Sequence, residues 1–308
     1  MKIQAKYSIV IPVYNSSSSL IELCNRIAVV LKDIEFEIIL VDDGSTDNSW
    51  QTINQIEKLL PGKVIAVRFS RNYGQHSAIL CAFTFCSGDF VVTMDDDLQH
   101  PPEEIPKLIQ QQSKSNADVV YGVYISKQHS AARNAGSFYV RKSAEMAEGS
   151  TGYGSSFRLI KKFIIDKLAA NQASSFYYLD ELFYWYTTSF DRVDVEHHPR
   201  KFGESGYTFR KLLKMYTDVV FTYSSFPLKL MTYLGFIFSL FTFFTGMVFI
   251  IRKLFFGAPF GFTSIIVTVL FTASVLMFCM GIVGQYLYKI YQSQHNKPLY
   301  SILEIRKP

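Results

Sequence analysis

The stretch FVVTMDDDLQHPPE, residues 90–103, decides the fold. Its first part is a short run of β-branched and apolar residues, which predicts a strand that is buried on both faces of a sheet. Three carboxylates, Asp95 to Asp97, follow Met94 directly. Ligands of parallel α/β sheets bind at the carboxyl ends of the strands. The stretch therefore predicts an α/β fold and places a candidate site at the end of this strand.

The same alternation of strand and helix occurs three times before residue 90. Each apolar run is followed by a segment of helical periodicity. This alternation predicts a mostly parallel, Rossmann-like sheet with helices on both faces. No GxGxxG follows the first strand, which disfavours a nicotinamide-binding protein. The predicted strands are residues 7–13, 37–41, 63–69 and 90–94, and the predicted helices are residues 20–31, 46–60 and 74–86.

The acidic residues after residue 94 have the spacing of a cation site. Asp95 closes the strand and Asp97 follows two residues later, with Gln99 beyond it. A pair of carboxylates can hold Mg²⁺ or Mn²⁺ against a diphosphate, because both ions prefer oxygen ligands. The metal would neutralise charge that develops on a leaving diphosphate. A solvated acidic turn is the alternative that these residues alone leave open.

Two other predicted strands end in residues that suit a nucleotide. Asp42 and Asp43 follow the second strand, where an Asp can accept a hydrogen bond from a ribose hydroxyl or a base. Arg71 follows the third strand and Gly74 opens the next helix, and an arginine beside a helix N-terminus suits a phosphate. A helix cap beside a glycine turn is the alternative for the first pair, and a plain surface loop for the second.

Together with residues 11–15 (IPVYN), these motifs resemble those of the family 2 glycosyltransferases, which have the GT-A fold. The resemblance covers roughly residues 7–123. Later segments resemble the branch of that family that loads sugars onto polyprenyl phosphates. They are DLQHPPE at 97–103, GSSFR at 154–158 and HPRKFGESGY at 198–207.

The resemblance implies roles for individual residues. Asp95, Asp97 and Gln99 would be catalytic, with Asp95 and Asp97 as ligands of the divalent metal. The nucleotide-sugar would contact Pro12, Tyr14, Asn15, Asp42, Asp43, Arg71, Asn72 and Asp96. The lipid phosphate would contact Arg133, Arg158, Arg200, Lys201 and Ser205.

The function implied by the resemblance is an inverting transfer of a sugar from a nucleotide-sugar, expected to be UDP-linked, to a polyprenyl phosphate. Such an enzyme would supply lipid-linked sugar for modifying cell-surface glycans. One alternative is a membrane glycosyltransferase of surface polysaccharide synthesis that uses a sugar hydroxyl, with Asp180 or Glu181 as the base. Another is an inactive nucleotide-sugar-binding protein, which the intact Asp95, Asp97 and Gln99 set disfavours.

The C-terminal third predicts a membrane anchor. Residues 230–251 and 262–288 carry no charge and are long enough to span a bilayer core, which predicts a hairpin of two transmembrane helices. Before them, residues 209–226 have apolar residues on one helical face, which predicts an amphipathic helix in the membrane interface. More Lys and Arg lie in the flanks than in the connecting loop, so both ends of the hairpin are expected on the cytoplasmic side.

These patterns divide the chain and place it in the cell. The expected domains are a cytoplasmic catalytic domain (1–208), an interfacial helix (209–229), two transmembrane helices (230–290) and a cytoplasmic tail (291–308). No apolar signal segment occurs in residues 1–6, so the catalytic domain is expected in the cytoplasm. A net charge of +5 suits anionic lipid and phosphate, but it is too small to indicate nucleic acid. The oligomeric state stays open, and a homo-oligomer is among the possibilities.

Overall fold

The computed structural model describes residues 5–124, 155–170, 179–196, 226–256, 261–294 and 298–308. The chain divides into two compact units. An α/β unit contains Met1–Phe138, Ser150–Ser205 and Asn296–Pro308, and a helical unit contains Tyr139–Gly149 and Gly206–His295. Residues after the helical unit therefore return to the α/β unit.

The α/β unit contains eight strands and six helices within the described residues. The strands are β1 (Lys6–Val13), β2 (Glu35–Asp42), β3 (Val64–Phe69), β4 (Phe90–Thr93), β5 (Val119–Tyr124), β6 (Arg158–Lys161), β7 (Phe190–Val195) and β8 (Ile302–Arg306). The helices are α1 (Leu20–Val30), α2 (Ser49–Leu59), α3 (Gln75–Phe83), α4 (Ile105–Ser115), α5 (Lys162–Ala170) and α6 (Leu179–Tyr184). A single 3₁₀ turn, Pro102–Glu104, leads into α4.

All eight strands form one sheet in the order β7-β5-β6-β4-β1-β2-β3-β8. β1 pairs in parallel with β2 and β4, and β3 pairs in parallel with β2. β6 is antiparallel to both β4 and β5, and β8 is antiparallel to β3. β7 pairs in parallel with β5, so six of the eight strands run in the same direction. The sheet is mostly parallel, as predicted, and the oppositely directed β6 and β8 make it a mixed sheet. The two antiparallel strands have only four and five residues, too few for a clear period in the sequence.

Both faces of the sheet are covered by helices, as predicted. Along β1, Ile9 and Ile11 pack in one apolar cluster while Val10 packs in the other, because successive side chains of a strand point to opposite faces. The first cluster contains buried residues of α1, α2 and α4, and the second contains those of α3, α5 and α6. This two-sided burial explains why the first four strands read as continuous apolar runs.

The helical unit contains two long helices, α7 (Phe226–Phe256) and α8 (Phe262–Gln294). Among the described residues, one segment, Phe271–Tyr288 in α8, is long and apolar enough to cross a membrane by length and composition. None of that segment is buried. The predicted hairpin of two transmembrane helices therefore stays a prediction. The predicted interfacial helix at 209–229 lies outside the described residues except for its last four positions, which begin α7.

The segment predicted as a cytoplasmic tail ends in strand β8. Its residues pair with β3 from Ala66 opposite Arg306 to Phe69 opposite Ile302. β8 thereby covers the side of β3 that β2 leaves open. The carboxyl ends of β1 to β4 share one edge of the sheet, and the loops that follow them form the candidate site.

Candidate active site

Hydrogen bonds join the loops that follow β1, β2 and β4. The Tyr14 N–H donates to Asp96 Oδ2 at 3.1 Å, and the Asn15 N–H donates to Ser45 Oγ at 3.0 Å. The Ser19 hydroxyl donates to the Asp96 carbonyl oxygen at 2.6 Å. Three segments that are far apart in the sequence are therefore fixed to one another, as predicted for a site at the carboxyl ends of the strands.

The loop after β1 turns at Asn15, which has a φ of 52°. Asn tolerates this left-handed conformation better than most residues. Its Oδ1 accepts a hydrogen bond from the Thr46 N–H at 2.9 Å, which ties the turn to the loop after β2. Pro12 is buried in β1, whereas Tyr14 is 47% exposed. Of these three predicted nucleotide contacts, Tyr14 and Asn15 are accessible to a ligand.

Asp42 and Asp43 are buried and bind the protein itself. Asp42 is 0% exposed; its Oδ1 accepts the Ser45 N–H at 3.0 Å and its Oδ2 lies 3.4 Å from Arg68 Nε. Asp43 accepts the N–H groups of Tyr73 and Gly74 at 2.6 and 2.8 Å. Burial raises the pKa of Asp43, and the two backbone donors oppose this rise. Both carboxylates were predicted to contact the nucleoside; here they hold the loops that surround the site.

The loop Ser70–Gly74, named the β3 loop below, packs closely against Gly44. A Cβ atom on Gly44 would lie 2.4 Å from the Arg71 carbonyl carbon and 2.7 Å from the Asn72 nitrogen. Gly44 also has a φ of 68°, a backbone conformation that is unfavourable for residues with a side chain. Arg71 and Asn72 are exposed, and the Arg71 guanidinium lies 4.7 Å from the centre of the Tyr73 ring. The backbone of the β3 loop is fixed, and these two predicted ligand contacts extend from it.

Asp95 is oriented by two side chains from other segments. Its Oδ1 accepts a hydrogen bond from Gln75 Nε2 at 2.5 Å, and its Oδ2 accepts one from Ser156 Oγ at 2.6 Å. Burial raises the pKa of Asp95, the Ser156 hydroxyl opposes this rise, and the charge of Asp97 adds to it. The carboxylate is thus held in one orientation, beside a second negative charge.

The two following carboxylates have different environments. Burial raises the pKa of Asp96 to about 6, although the hydroxyl of Ser16 and the Tyr14 N–H oppose the rise. Asp97 accepts the Gln99 N–H at 3.1 Å across Leu98, which has a φ of 60°. All three carboxylates and Gln99 are partly exposed, unlike Asp42 and Asp43. The turn therefore keeps Asp97 beside Asp95 and open to a ligand.

The donor chemistry after β4 fits a hard divalent cation. Each Asp95 oxygen accepts one hydrogen bond and retains a second lone pair. A cation between Asp95 and Asp97 would offset the negative charge of Asp97, which adds to the rise that burial causes in the pKa of Asp95. Within the described ranges, no three His, Cys, Asp or Glu side chains come together as a metal site. Asp95 and Asp97 therefore stay the predicted metal ligands.

Arg158 lies beneath the site and has protein partners. Its side chain is 2% exposed, its Nε donates to Thr93 Oγ1 at 3.1 Å, and its guanidinium forms an ion pair with Asp180. The Tyr121 hydroxyl donates to the same Asp180 oxygen at 3.1 Å. Burial lowers the pKa of His76 to about 4, and the positive charge of Arg158 lowers it further. This environment differs from the predicted direct contact with a lipid phosphate, because the guanidinium is enclosed.

Two residues of the site were missed as functional residues. Gln75 and Ser156 both bind Asp95, and both lie in segments that the sequence singled out, next to Gly74 and near Arg158 respectively. Only their polar side chains near a motif could have indicated them, since the contacts span 20 and 61 residues. The predicted contacts Arg133, Arg200, Lys201 and Ser205, and the side chain of Glu181, lie outside the described residues.

The profile described as "Glycosyl transferase family 2" matches residues 8–169, more than half of the 308 residues. The chain belongs to glycosyl transferase family 2. The matched range runs from β1 into α5 and contains every described residue of the site except Asp180. The family predicted from the sequence is confirmed, whereas the match does not distinguish its branches.

Several solved structures are similar to the chain at low identity. Glucosyl-3-phosphoglycerate synthase from Mycobacterium tuberculosis, in complex with Mn²⁺ and UDP-glucose, has 15% identity and a TM-score of 0.46, over 71% of this chain and 77% of that one. Mannosyltransferase PcManGT from Pyrobaculum calidifontis, with GDP-Man and Mn²⁺, has 17% identity and a TM-score of 0.41, over 54% of this chain. The match spans about half, 47%, of the mannosyltransferase. S. aureus TarS residues 1–349 have 17% identity and a TM-score of 0.43, over 61% and 58% of the two chains. At these values the structures do not indicate this chain's donor or acceptor.

Proposed function

We propose that this member of glycosyl transferase family 2 transfers a sugar from a UDP-linked nucleotide-sugar to a polyprenyl phosphate at the cytoplasmic face of a membrane. One observation carries the proposal: the loops after β1, β2 and β4 are hydrogen-bonded together around the partly exposed carboxylates of Asp95 and Asp97. The product would be a lipid-linked sugar used to modify cell-surface glycans.

The donor would lie across the ends of the strands. Tyr14 and Asn15 offer exposed groups to the nucleoside, and Arg71 and Asn72 offer exposed donors to the diphosphate. A guanidinium suits a phosphate because it donates several hydrogen bonds in a fixed plane. Asp43 would act indirectly, by holding the backbone from which Arg71 and Asn72 extend.

Asp95 and Asp97 would hold a divalent cation, Mg²⁺ or Mn²⁺. When bound, the cation supplies positive charge against the diphosphate leaving group. Gln75 and Ser156 fix the carboxylate of Asp95, so the site is arranged before the donor arrives. Mn²⁺ is also named in the complexes of the mycobacterial synthase and the archaeal mannosyltransferase.

A phosphate acceptor is favoured by the state of Asp180. A phosphate monoester is ionised near neutral pH, so its oxygen can attack the anomeric carbon without a strong general base. The new C–O bond forms as the bond to the nucleotide diphosphate breaks, with inversion at that carbon. A sugar hydroxyl would need a base, but the same Asp180 oxygen already binds the Arg158 guanidinium and the Tyr121 hydroxyl. Both partners would have to be displaced before this oxygen could accept a proton from an acceptor hydroxyl.

The lipid phosphate would meet polar and cationic groups from two segments of the chain, one before β6 and one after β7. Arg200, Lys201 and Ser205 lie in the HPRKFGESGY segment, and Arg133 precedes β6. These residues stay the proposed acceptor contacts. We assign Arg158 a positioning role instead, because it fixes Asp180 beneath the site and has little exposed surface.

The membrane arrangement belongs to the same proposal. α7 and α8 would form a two-span anchor in the cytoplasmic membrane, with the α/β unit and both termini in the cytoplasm. The proposal rests on the uncharged runs, the basic flanks and the apolar Phe271–Tyr288 segment. Single cysteines at Gly257→Cys and Leu303→Cys should be labelled from outside and from inside the cell, respectively. The opposite pattern would overturn this topology.

The function is tested by incubating the full chain with a panel of UDP- and GDP-sugars and a polyprenyl phosphate. Mass spectrometry of the lipid fraction should detect a glycosyl phospholipid, formed only with Mg²⁺ or Mn²⁺ and only from one class of donor. If the sugar is transferred to a saccharide hydroxyl and no glycosylated lipid forms, the proposed polyprenyl phosphate acceptor is wrong and the acceptor is a hydroxyl.

The two acceptor classes also differ in their need for Asp180. Asp180→Asn leaves the buried Arg158 without its counter-ion, so we expect lower stability. With a phosphate acceptor, the folded fraction of this variant should retain turnover within about tenfold, because no base is lost. A loss of about a thousandfold or more in fully folded protein would indicate a base and a hydroxyl acceptor.

A further inference from the structure

The two residues that precede β8, Tyr300 and Ser301, contact the start of the β3 loop. The Ser70 N–H, which opens this loop, donates to the Ser301 carbonyl oxygen at 3.0 Å. The Tyr300 ring stacks on Phe69, the last residue of β3, with ring centres 5.2 Å apart and planes 2° from parallel. One backbone contact and one ring contact therefore join the C-terminal segment to the start of the loop.

A row of side chains extends from this contact to an exposed cation. The Tyr73 ring lies edge-on to Phe69 at 5.7 Å, and the Arg71 guanidinium lies over Tyr73 at 4.7 Å. The row is therefore Tyr300, Phe69, Tyr73 and Arg71. Aromatic pairs and cation–π contacts depend on ring placement, so a shift of the first ring is passed along the row.

A bulge in β8 shifts the register of its pairing with β3. Arg68 lies opposite Glu304 and Phe69 opposite Ile302, which leaves Leu303 as an extra residue. Bulges of this kind redirect a strand and are frequent beside active sites. Leu303 is 64% exposed, so its side chain takes no part in the packing that the bulge produces.

The other end of β8 is anchored on α2. The Arg306 guanidinium lies 4.4 Å from the Trp50 ring centre, forms an ion pair with Glu57 at 2.9 Å and also binds Asn54. β8 is thus fixed at Arg306, so Tyr300 and Ser301 have a rigid base from which to hold the β3 loop.

We infer that β8 is a positioning element for the nucleotide-sugar, holding the β3 loop in the shape that presents Arg71 and Asn72 to the diphosphate. The loop is held from one side by the Asp43 carboxylate and from the other by Tyr300 and Ser301. Either contact alone leaves one end of the loop free to move. This inference rests on the proposed function, which makes the β3 loop a donor contact.

The test uses the full chain and two probes, UDP and GDP, each with Mn²⁺. Tyr300→Ala removes the ring and Tyr300→Phe keeps it. Leu303→Ala changes an exposed residue of β8, three residues further along the chain. Tyr300→Ala should weaken binding of the preferred nucleotide about three- to tenfold, on the scale of a lost aromatic pair. Tyr300→Phe and Leu303→Ala should stay within about twofold of wild type. In turnover, KM for the donor should rise while kcat changes little.

Hydrogen exchange separates a positioning role from a general loss of stability. In Tyr300→Ala, amides of residues 70–74 should exchange faster while those of β1 and β4 keep their protection. Equal nucleotide affinity in Tyr300→Ala and wild type would overturn the inference alone, as would faster exchange spread over the whole sheet. Wild-type protein that binds neither nucleotide with Mn²⁺ would overturn the proposed function, and the inference with it.

Discussion

The acidic clusters that follow β2 and β4 have similar sequences but different surroundings. Asp42 and Asp43 are 0% and 2% exposed, and three backbone N–H groups bind them. Asp95 and Asp97 are partly exposed, and side chains rather than neighbouring backbone hold Asp95. The first cluster therefore holds the loops, whereas the second leaves its carboxylate oxygens accessible to a ligand. An acidic pair at a strand end can thus serve either purpose, and the surrounding donors decide which.

The largest expected effect comes from the second cluster. Asp97→Ala should lower turnover by about a hundredfold or more without unfolding the protein, because it removes a carboxylate proposed to hold the cation. Chelator should abolish the activity of wild type, and Mn²⁺ or Mg²⁺ should restore it. Glu103→Ala is the matched control, since Glu103 is an exposed acid of the next turn that pairs with Arg26. A control variant as inactive as Asp97→Ala would contradict the cation role.

Gly44 lies beside the first cluster. Comparing it with Gly62 separates the stability cost of a steric clash from the cost of an unfavourable backbone conformation. Gly44→Ala and Gly62→Ala both place a side chain at positive φ, 68° and 75°. Only the first adds a clash, because nothing lies within 4 Å of a Cβ on Gly62. We expect a cost of about 1 kcal/mol for Gly62→Ala and about 3 kcal/mol or more for Gly44→Ala. Urea unfolding measures both, and equal costs would mean that the β3 loop moves away freely.

Asp43→Asn tests whether the first cluster acts through the loop. An amide can accept one of the two backbone hydrogen bonds, but its NH₂ faces the other N–H, so we expect a loss of about 1–3 kcal/mol in unfolding free energy. Nucleotide affinity should fall too, while kcat stays near wild type. Asp118→Asn is the control, because Asp118 binds Lys161 and Thr187 away from the β3 loop. Nucleotide affinity unchanged in Asp43→Asn would mean that Asp43 has no part in presenting the loop.

The smallest effect concerns Asp96, whose pKa is raised to about 6 in the folded protein from an ordinary value of 3.8. Between these values the folded protein holds a proton that the unfolded chain has lost, so raising the pH lowers stability, by on the order of 1 kcal/mol. Asp96→Asn removes this dependence. With a chelator present, the melting temperature of Asp96→Asn minus that of wild type should increase from pH 4.5 to pH 7.5. If this difference were instead larger at pH 4.5, the pKa of Asp96 would be lowered by folding rather than raised.

The first four strands could be predicted from the sequence because both of their faces are buried. Bounds predicted for β1 to β4 differ from the structure by at most two residues at either end. The clustering of their carboxyl ends followed from parallel pairing, which brings Tyr14, Asn15, Asp96 and the β3 loop to one edge of the sheet. Local pattern and tertiary structure agree in this half of the unit.

The partners of individual side chains could not be predicted in the same way. Arg158 and Asp180 read as a phosphate contact and a candidate base, but they form one ion pair across 22 residues. The burial of Asp42 and Asp43 could not be predicted, because nothing in the sequence reveals how deeply a strand end is buried, and their contact with the nucleoside stays a prediction. β8 was missed because two of its five residues are charged and it follows two long apolar helices.

The position of β8 in the chain has a consequence for biosynthesis. β3 is complete once residue 69 has been made, but its outer edge stays unpaired until residues 302–306 emerge. An open edge of an apolar strand is a template for pairing with another chain. During translation, at about 5–20 residues per second, this edge would stay open for on the order of ten seconds or more. Nascent chains would therefore be most prone to aggregation in that interval, and chaperones would be needed most before β8 is added.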